Sequence, residues 1–272
     1  MAHPINRVAR RAWRANDFSD GDRPIPEETA IAFTYNGTSY AVMMATPQDL
    51  EDFACGFSLT EGIVSAPEDI RDLDIVEEEV GIELRMWLGA PHAAALTERR
   101  RHLAGPTGCG LCGIGSLAQA LRAPRRVRDG QIFTPADIMR ALEALAPRQE
   151  LNRKTRAVHA AAFWQPGAGL LAVREDVGRH SALDKLGGAL ARDHIPGCGG
   201  MVVLTSRVSV EMVQKAAVLN VPLLIAVSAP TALAVRTAEA AGITLVAVAH
   251  SDGFEIFTHR QRIAHETAAH VA

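Results

Sequence analysis

Cys109 and Cys112 form a C-x-x-C inside Gly105-Pro-Thr-Gly-Cys-Gly-Leu-Cys-Gly-Ile-Gly-Ser116, a glycine-rich stretch that runs into a run with helical periodicity. Backbone N–H groups and the dipole at a helix N-terminus favour a thiolate, the nucleophilic form of cysteine. Flanking glycines admit a bulky partner and unusual backbone angles. Three chemistries use such a pair: half of a zinc site, a dithiol/disulfide redox couple, and a persulfide carrier with a second thiol at hand. Zinc needs two more ligands, yet Cys55 and Cys198 are solitary and no second C-x-x-C or H-x-x-x-H follows. A thioredoxin-type couple directly follows a strand, whereas a Pro/Gly-rich loop precedes this one. The zinc reading corresponds to a non-catalytic chaperone and the redox reading to a dithiol oxidoreductase; both stay open on the residues alone.

A second set of polar residues falls where strands are expected to end: Glu175-Asp-Val-Gly-Arg-His180, Thr205-Ser-Arg207, Ser228-Ala-Pro-Thr231 and His250-Ser-Asp-Gly253. In parallel α/β sheets ligands gather beyond the carboxyl ends of the strands. Arg179, His180, Arg207 and His250 supply cations there, and Ser206, Ser228 and Thr231 supply hydroxyls. Turn and capping duty would explain any one cluster. Four on one edge point to a pocket for an anionic, nucleotide-like ligand. His159-Ala-Ala161 lacks the glutamate of the H-x-E step of nucleotide deaminases, and no P-C-x-x-C follows it, so deamination is not expected.

The elements that must position these groups are legible as patterns. Ala30–Tyr35 and Ser39–Met44 read as strands around Asn36-Gly37, a hairpin turn. Thr46-Pro47 is expected to cap a helix with Leu50, Phe53, Ala54 and Phe57 on one stripe, and Cys55 as a small packing residue; Ile75–Leu88 is β-rich. Ile114, Leu117, Ala118 and Leu121 predict a helix after Gly113, and Thr134-Pro135 caps another to about Ala146. Strands at Val158–Trp164 and Leu170–Arg174 precede an alternation: strand Met201–Thr205, helix Val210–Asn220, strand Pro222–Val227, helix Thr231–Ala241 and strand Ile243–Val248. That order implies a largely parallel sheet covered by helices. The expected organisation is a basic, flexible tail at 1–24, a smaller α+β domain at 25–130 that ends with the cysteine loop, and an α/β domain at 131–272.

Of the 272 residues 48% are hydrophobic, enough for a sizeable core. A balance of 28 Lys+Arg against 31 Asp+Glu gives no field for a nucleic acid polymer. No apolar run approaches the ~20 residues that cross a bilayer and no signal-peptide pattern is present, so a cytoplasmic protein without membrane association is expected.

The chain resembles the FdhD family, accessory sulfurtransferases of formate dehydrogenase, from about residue 24 onward. The resemblance rests on Cys109-Gly-Leu-Cys-Gly113, Arg174-Glu-Asp-Val-Gly-Arg-His-Ser-Ala-Leu-Asp-Lys185, Glu211-Met-Val-Gln-Lys-Ala216 and Val227-Ser-Ala-Pro-Thr231, with Leu59-Thr-Glu-Gly-Ile63 in support. It implies a small N-terminal domain joined to a three-layer, cytidine deaminase-like α/β domain. It also implies that sulfur arrives from a cysteine desulfurase as a persulfide on Cys109, assisted by Cys112. The sulfur would leave for the molybdenum of a bis(molybdopterin guanine dinucleotide) cofactor before that cofactor enters the formate dehydrogenase catalytic subunit. By position Val248, Ala249, His250, Ser251, Asp252 and Gly253 match the cofactor-binding segment. A homodimer is expected, since a bis-nucleotide ligand spans two equivalent pockets in an isologous pair. No resident metal is expected. Two positions depart from the pattern: Thr155-Arg-Ala157 stands where Thr-Gly-Gly is usual, and His250-Ser251 where a basic residue and glycine are usual.

Overall fold

The computed structural model describes residues 3–92, 96, 124–127 and 131–264. Cys109, Cys112 and the helix expected after Gly113 lie outside the described residues.

The chain opens with a hairpin where a flexible tail is expected. Strands β1 (Ile5–Arg14) and β2 (Asp17–Pro26) pair antiparallel over their whole length. Ala15 and Asn16 both take positive φ, the conformation that two-residue hairpin turns require. The base is held by Glu27 N donating to Pro4 O at 2.9 Å and by Arg23 Nη2 donating to Thr155 O at 3.3 Å. Its arginines hid this element, because a basic run reads as a solvated tail.

A four-stranded sheet follows in the order β4-β3-β6-β5. Strand β3 (Thr29–Tyr35) turns at Asn36-Gly37 into antiparallel β4 (Thr38–Ala45) and lies parallel to β6 (Gly81–Leu88), which pairs antiparallel with β5 (Ile70–Glu78). Helix α1 (Leu50–Thr60) covers one face with Phe53 and Phe57 against Phe33, whose ring stacks on Phe57 at 4.0 Å between centroids. Asp49, in the left-handed conformation, starts this helix in place of the expected Thr46. Thr46 is instead wholly buried, accepting from Val177 N and Lys185 Nζ.

The second layer set begins with α2 (Pro135–Leu145), capped reciprocally by Thr134 and Asp137 as its sequence predicts, and the short α3 (Glu150–Thr155). Then come β7 (His159–Gln165), β8 (Gly169–Asp176), α4 (Arg179–Arg192), β9 (Met201–Leu204), α5 (Val210–Val218), β10 (Leu223–Ala226), α6 (Ala232–Ala241), β11 (Thr244–His250) and β12 (Gly253–Ile256). They form a six-stranded sheet ordered β12-β11-β10-β9-β7-β8. Only β9, β10 and β11 run as parallel neighbours; β7 and β12 reverse, so the sheet is mixed where a largely parallel one is expected. One face carries Val202, Leu204 and Leu224 against Leu183, Leu186 and Met212, the other carries Val203, Ile225 and Val246 with Ile138 and Phe133. The result is a three-layer α/β arrangement beside the smaller α+β unit.

The two units meet at a close helix crossing. A Cβ on Gly56 of α1 would fall 1.7 Å from Asp184 O, and one on Gly188 of α4 would fall 1.9 Å from Asp52 O. Backbones touch there, and only glycine permits it. No helix of the described residues is long and apolar enough to cross a membrane.

Candidate functional site

The register of the six-stranded sheet determines where its polar ends fall. His159 pairs with Asp176, Ala161 and Ala226 both pair with Leu204, and Ile225 pairs with Val246. The ends of β8, β9, β10 and β11 and the start of β7 therefore share one edge. With neighbouring strands ~4.8 Å apart, the edge from β8 to β11 spans about 19 Å. All four polar clusters noted in the sequence lie along it.

Within the first cluster the roles separate. Glu175 accepts from Leu151 N at 2.7 Å and Asn152 N at 2.8 Å, so its carboxylate caps α3. Asp176 is wholly buried: it takes Lys185 Nζ at 2.6 Å, Thr46 N at 3.0 Å and Gly178 N at 2.7 Å. Lys185 Nζ also donates to Thr46 O at 2.8 Å, and Val177 N donates to Thr46 Oγ1 at 3.2 Å. These bonds hold the β8–α4 connection rigid and so place Arg179 and His180, the first residues of α4.

Arg179 Nε and His180 Nε2 are shielded from solvent and have no hydrogen-bond partner among the described residues. Ser209 Oγ, at the start of α5, is in the same condition. An unsatisfied buried polar atom costs about 1–3 kcal/mol, so three of them flanking one sheet edge require a physical reason. Burial, then the charges of Arg179 and Lys215, push His180 down to about 4, leaving it neutral near pH 7. His159 is also pushed down, by burial first and by Arg179 second. Arg179 is thus a cation among neutral imidazoles, an environment that an anion would improve.

The remaining sites divide. Thr205 Oγ1 accepts from Ala160 N at 2.8 Å, buried Ser206 donates to Arg207 O at 3.1 Å, and Arg207 is exposed. Thr231 caps α6 by accepting from Ala234 N at 3.2 Å, the ordinary turn duty that its type allows. Ser228 O accepts from Val248 N at 3.4 Å, joining two of the clusters. Val248 has φ 51°, inside a register shift between Ala247 and His250. A β-branched residue in the left-handed region is strained, and such strain concentrates at functional sites. Ala249 is buried, His250, Ser251 and Asp252 are exposed, and a Cβ on Gly253 would meet open space. Cys55 packs in the core of the smaller unit, where burial pushes its thiol up to about 11, so it does not compete as a thiolate.

The sequence reading missed the buried ion pairs that carry the site. Lys215 Nζ donates to Asp184 Oδ1 at 2.8 Å and Oδ2 at 3.0 Å and to Thr60 Oγ1 at 3.0 Å, and lies 3.2 Å from Glu61 Oε1. Asp52 joins Arg174 at 2.7 Å and Arg192 at 2.6 Å. The available signal was charge in the middle of apolar helices: Asp184-Lys185 and Lys215 interrupt runs that otherwise read as core.

A family model described as the FdhD/NarQ family matches residues 26–264. The curated sulfur carrier protein FdhD of Agrobacterium fabrum is 54% identical over 258 residues, 94% of this chain and 95% of the relative. Proteins of the same name from Brucella abortus (56% over 257 residues, 94% and 96%) and Cupriavidus necator (47% over 266 residues, 98% and 92%) are also similar. Among solved structures, a protein assigned as a formate dehydrogenase accessory protein from Desulfotalea psychrophila shares the fold. Its TM-score is 0.74 at 23% identity, covering 96% of this chain and all of that one.

Proposed function

The chain belongs to the FdhD/NarQ family, and from that membership we propose that it carries sulfur for the maturation of a formate dehydrogenase, with Cys109 as the carrying residue. The observation that bears most weight is the 54–56% identity, over 94% of this chain, to proteins named sulfur carriers, in a sequence whose one C-x-x-C is flanked by glycines.

The Cys109 thiolate attacks the outer sulfur of a cysteine desulfurase persulfide. A new S–S bond forms on Cys109, the desulfurase S–S bond breaks, and the desulfurase cysteine leaves as a thiolate. This is an exchange of the thiol–disulfide kind, whose rate follows thiolate fraction and access. Cys112 is the assisting thiol. The Cys112 thiolate then attacks the inner sulfur of that persulfide: a Cys109–Cys112 S–S bond forms, the outer S–S bond breaks, and the outer sulfur leaves at the sulfide level for the molybdenum of the bis(molybdopterin guanine dinucleotide) cofactor, the substrate of this step, before that cofactor reaches the formate dehydrogenase catalytic subunit in the cytoplasm.

The strand-end edge is the proposed seat of the cofactor's guanine nucleotide ends. Arg179 and Arg207 are the phosphate partners, since a guanidinium makes two charge-assisted hydrogen bonds to one phosphate. His180, Ser206, Ser228, Thr231 and the segment Val248–Gly253 complete it. The unpartnered Arg179 Nε and His180 Nε2 and the strained Val248 support this reading.

The test is mass spectrometry after incubation with a cysteine desulfurase and cysteine. A gain of about 32 Da per sulfur atom is expected on the Cys109 peptide and is expected to vanish in Cys109→Ala. A gain confined to Cys55 or Cys198, or none, overturns the proposal.

A further inference from the structure

The ends of three helices leave a groove where the two units meet. It holds about 440 Å³ and lies between α1 with the turn that follows it and the last turns of α4 and α5. Leu59 and Val64 reach it from the core of the smaller unit and Leu190 from the core of the α/β unit, with Ile195 and Leu219 packed against the latter. Ile195, Val218 and Leu219 stay partly exposed. Among the described residues Arg125 is the one charged group in its wall and Ser65 the one hydroxyl. A ligand held by charge has no seat there, whereas the apolar stripe of a helix has one.

The chain leaves one of these cores at Leu96 and re-enters the other at Val127. Leu96 is buried with Leu59 and Val64. Val127 is buried with Leu190, and its N–H donates to Ala241 O at 2.8 Å. Arg125, two residues earlier, lines the groove itself. In the intervening sequence Ile114, Leu117, Ala118 and Leu121 recur at helical spacing. Gly113 and Pro124 bound that run to about ten residues, because the residue before a proline avoids the helical region. A helix of that length is marginal in water unless a surface buries its stripe. Leu121 is four residues from Arg125, so at ~3.6 Å per residue its Cα stands within about 14 Å of one that lines the groove.

We propose that residues 114–121 dock in this groove of their own chain as a helix, with Ile114, Leu117 and Leu121 against Leu190, Ile195, Val218 and Leu219. So short a tether makes the encounter intramolecular, at an effective concentration on the order of millimolar, which the same segment of a second copy does not match. Cys112 then precedes the first anchor by two residues, so its Cα is held within about 7 Å of that of Ile114. The N-terminus of the docked helix favours its thiolate there. The docking gives the cysteine loop a fixed arm on α4 and α5, whatever the thiols carry.

The experiment uses the full chain. Unlabelled protein with Leu117→p-benzoylphenylalanine is mixed 1:1 with ¹⁵N-labelled wild type and irradiated. Cross-links from position 117 to unlabelled residues 59–67, 187–197 or 218–219 are expected. Hydrogen–deuterium exchange supplies the second reading. Amides of residues 117–122 should exchange about tenfold faster or more in Ile195→Lys/Leu219→Lys, the scale expected when apolar anchors leave their pocket. Unchanged exchange in β9, β10 and β11 shows that this variant is folded. Leu117→Lys/Leu121→Lys, which alters neither core, should accelerate the same amides by a similar factor. Cross-links to the groove of the labelled chain assign it to a second copy and overturn the proposal, as do cross-links elsewhere or none. So does exchange at 117–122 that already runs at the free-chain rate in wild type, or that neither variant moves.

Discussion

At the scale of residues, the molecule separates groups that hold the sheet edge from groups left open at it. Asp176 and Lys185 spend their hydrogen bonds on Thr46 and on the β8–α4 connection, whereas Arg179 and His180 each keep a shielded nitrogen unpaired among the described residues. Arg179→Ala and Arg207→Ala are each expected to weaken GDP binding by about 1.5–3 kcal/mol, the worth of a hydrogen bond to a charged group, as read by calorimetry. Persulfide loading of Cys109 should be unaffected in both variants. His180 gives a pH signature. Folded, it takes its proton near pH 4 rather than 6.5, so the unfolded chain binds more protons between those values. Stability therefore falls as pH drops through that window, by roughly 2–3 kcal/mol from this group. Urea unfolding of wild type and His180→Gln from pH 7 to pH 4 should show a shallower loss in the variant. The strand-end clusters were legible in the sequence because Ser, Thr, Arg and Gly directly after an apolar β run mark the point where the chain leaves the sheet. The pairing of Asp184 with Lys215 was not, since partners 31 residues apart become neighbours only once α4 and α5 have packed.

At the scale of elements, α1 and α4 are joined more closely than side chains would permit. Gly56→Ala and Gly188→Ala each force a methyl to within 2 Å of a backbone carbonyl and should cost about 3 kcal/mol or more, beyond the ~1–3 kcal/mol of ordinary overpacking. Gly187→Ala meets the flexible Leu219 side chain at 2.9 Å and should cost less, and thermal denaturation of the three variants checks the order. Arg156 gives the opposite sign. It ends α3 at φ 56°, a conformation suited to glycine, so Arg156→Gly should leave stability unchanged or raise it by up to about 1 kcal/mol. The hairpin at Asn36-Gly37, the Thr134 cap and the β9–β11 alternation were readable from local pattern alone. Helix α4 was not, because Gly187-Gly188 argue against a helix until the crossing with α1 supplies a reason for them. The β1–β2 hairpin was hidden likewise by its arginines.

At the scale of the whole molecule, the α1–α4 crossing and the Asp184–Lys215–Thr60 bonds tie the four-stranded sheet to the six-stranded one. Chemical denaturation should therefore show one transition, coincident by circular dichroism and by the fluorescence of Trp87 and Trp164, which report on different sheets. Asp184→Asn or Lys215→Met alone leaves one buried group without its partner and should cost about 3–5 kcal/mol, whereas the double variant should cost less than the sum. The same bonds set a schedule for the nascent chain. Thr60 and the lysine that binds it are 155 residues apart. At roughly 5–20 residues per second, α1 waits on the order of 8–30 s after its own synthesis before that lysine is made. Within that interval its glycine face and Asp52 wait for Arg174 and α4, and Thr60 waits longer for Lys215, so the first sheet is a client for ribosome-associated chaperones and a target for proteases until those elements emerge.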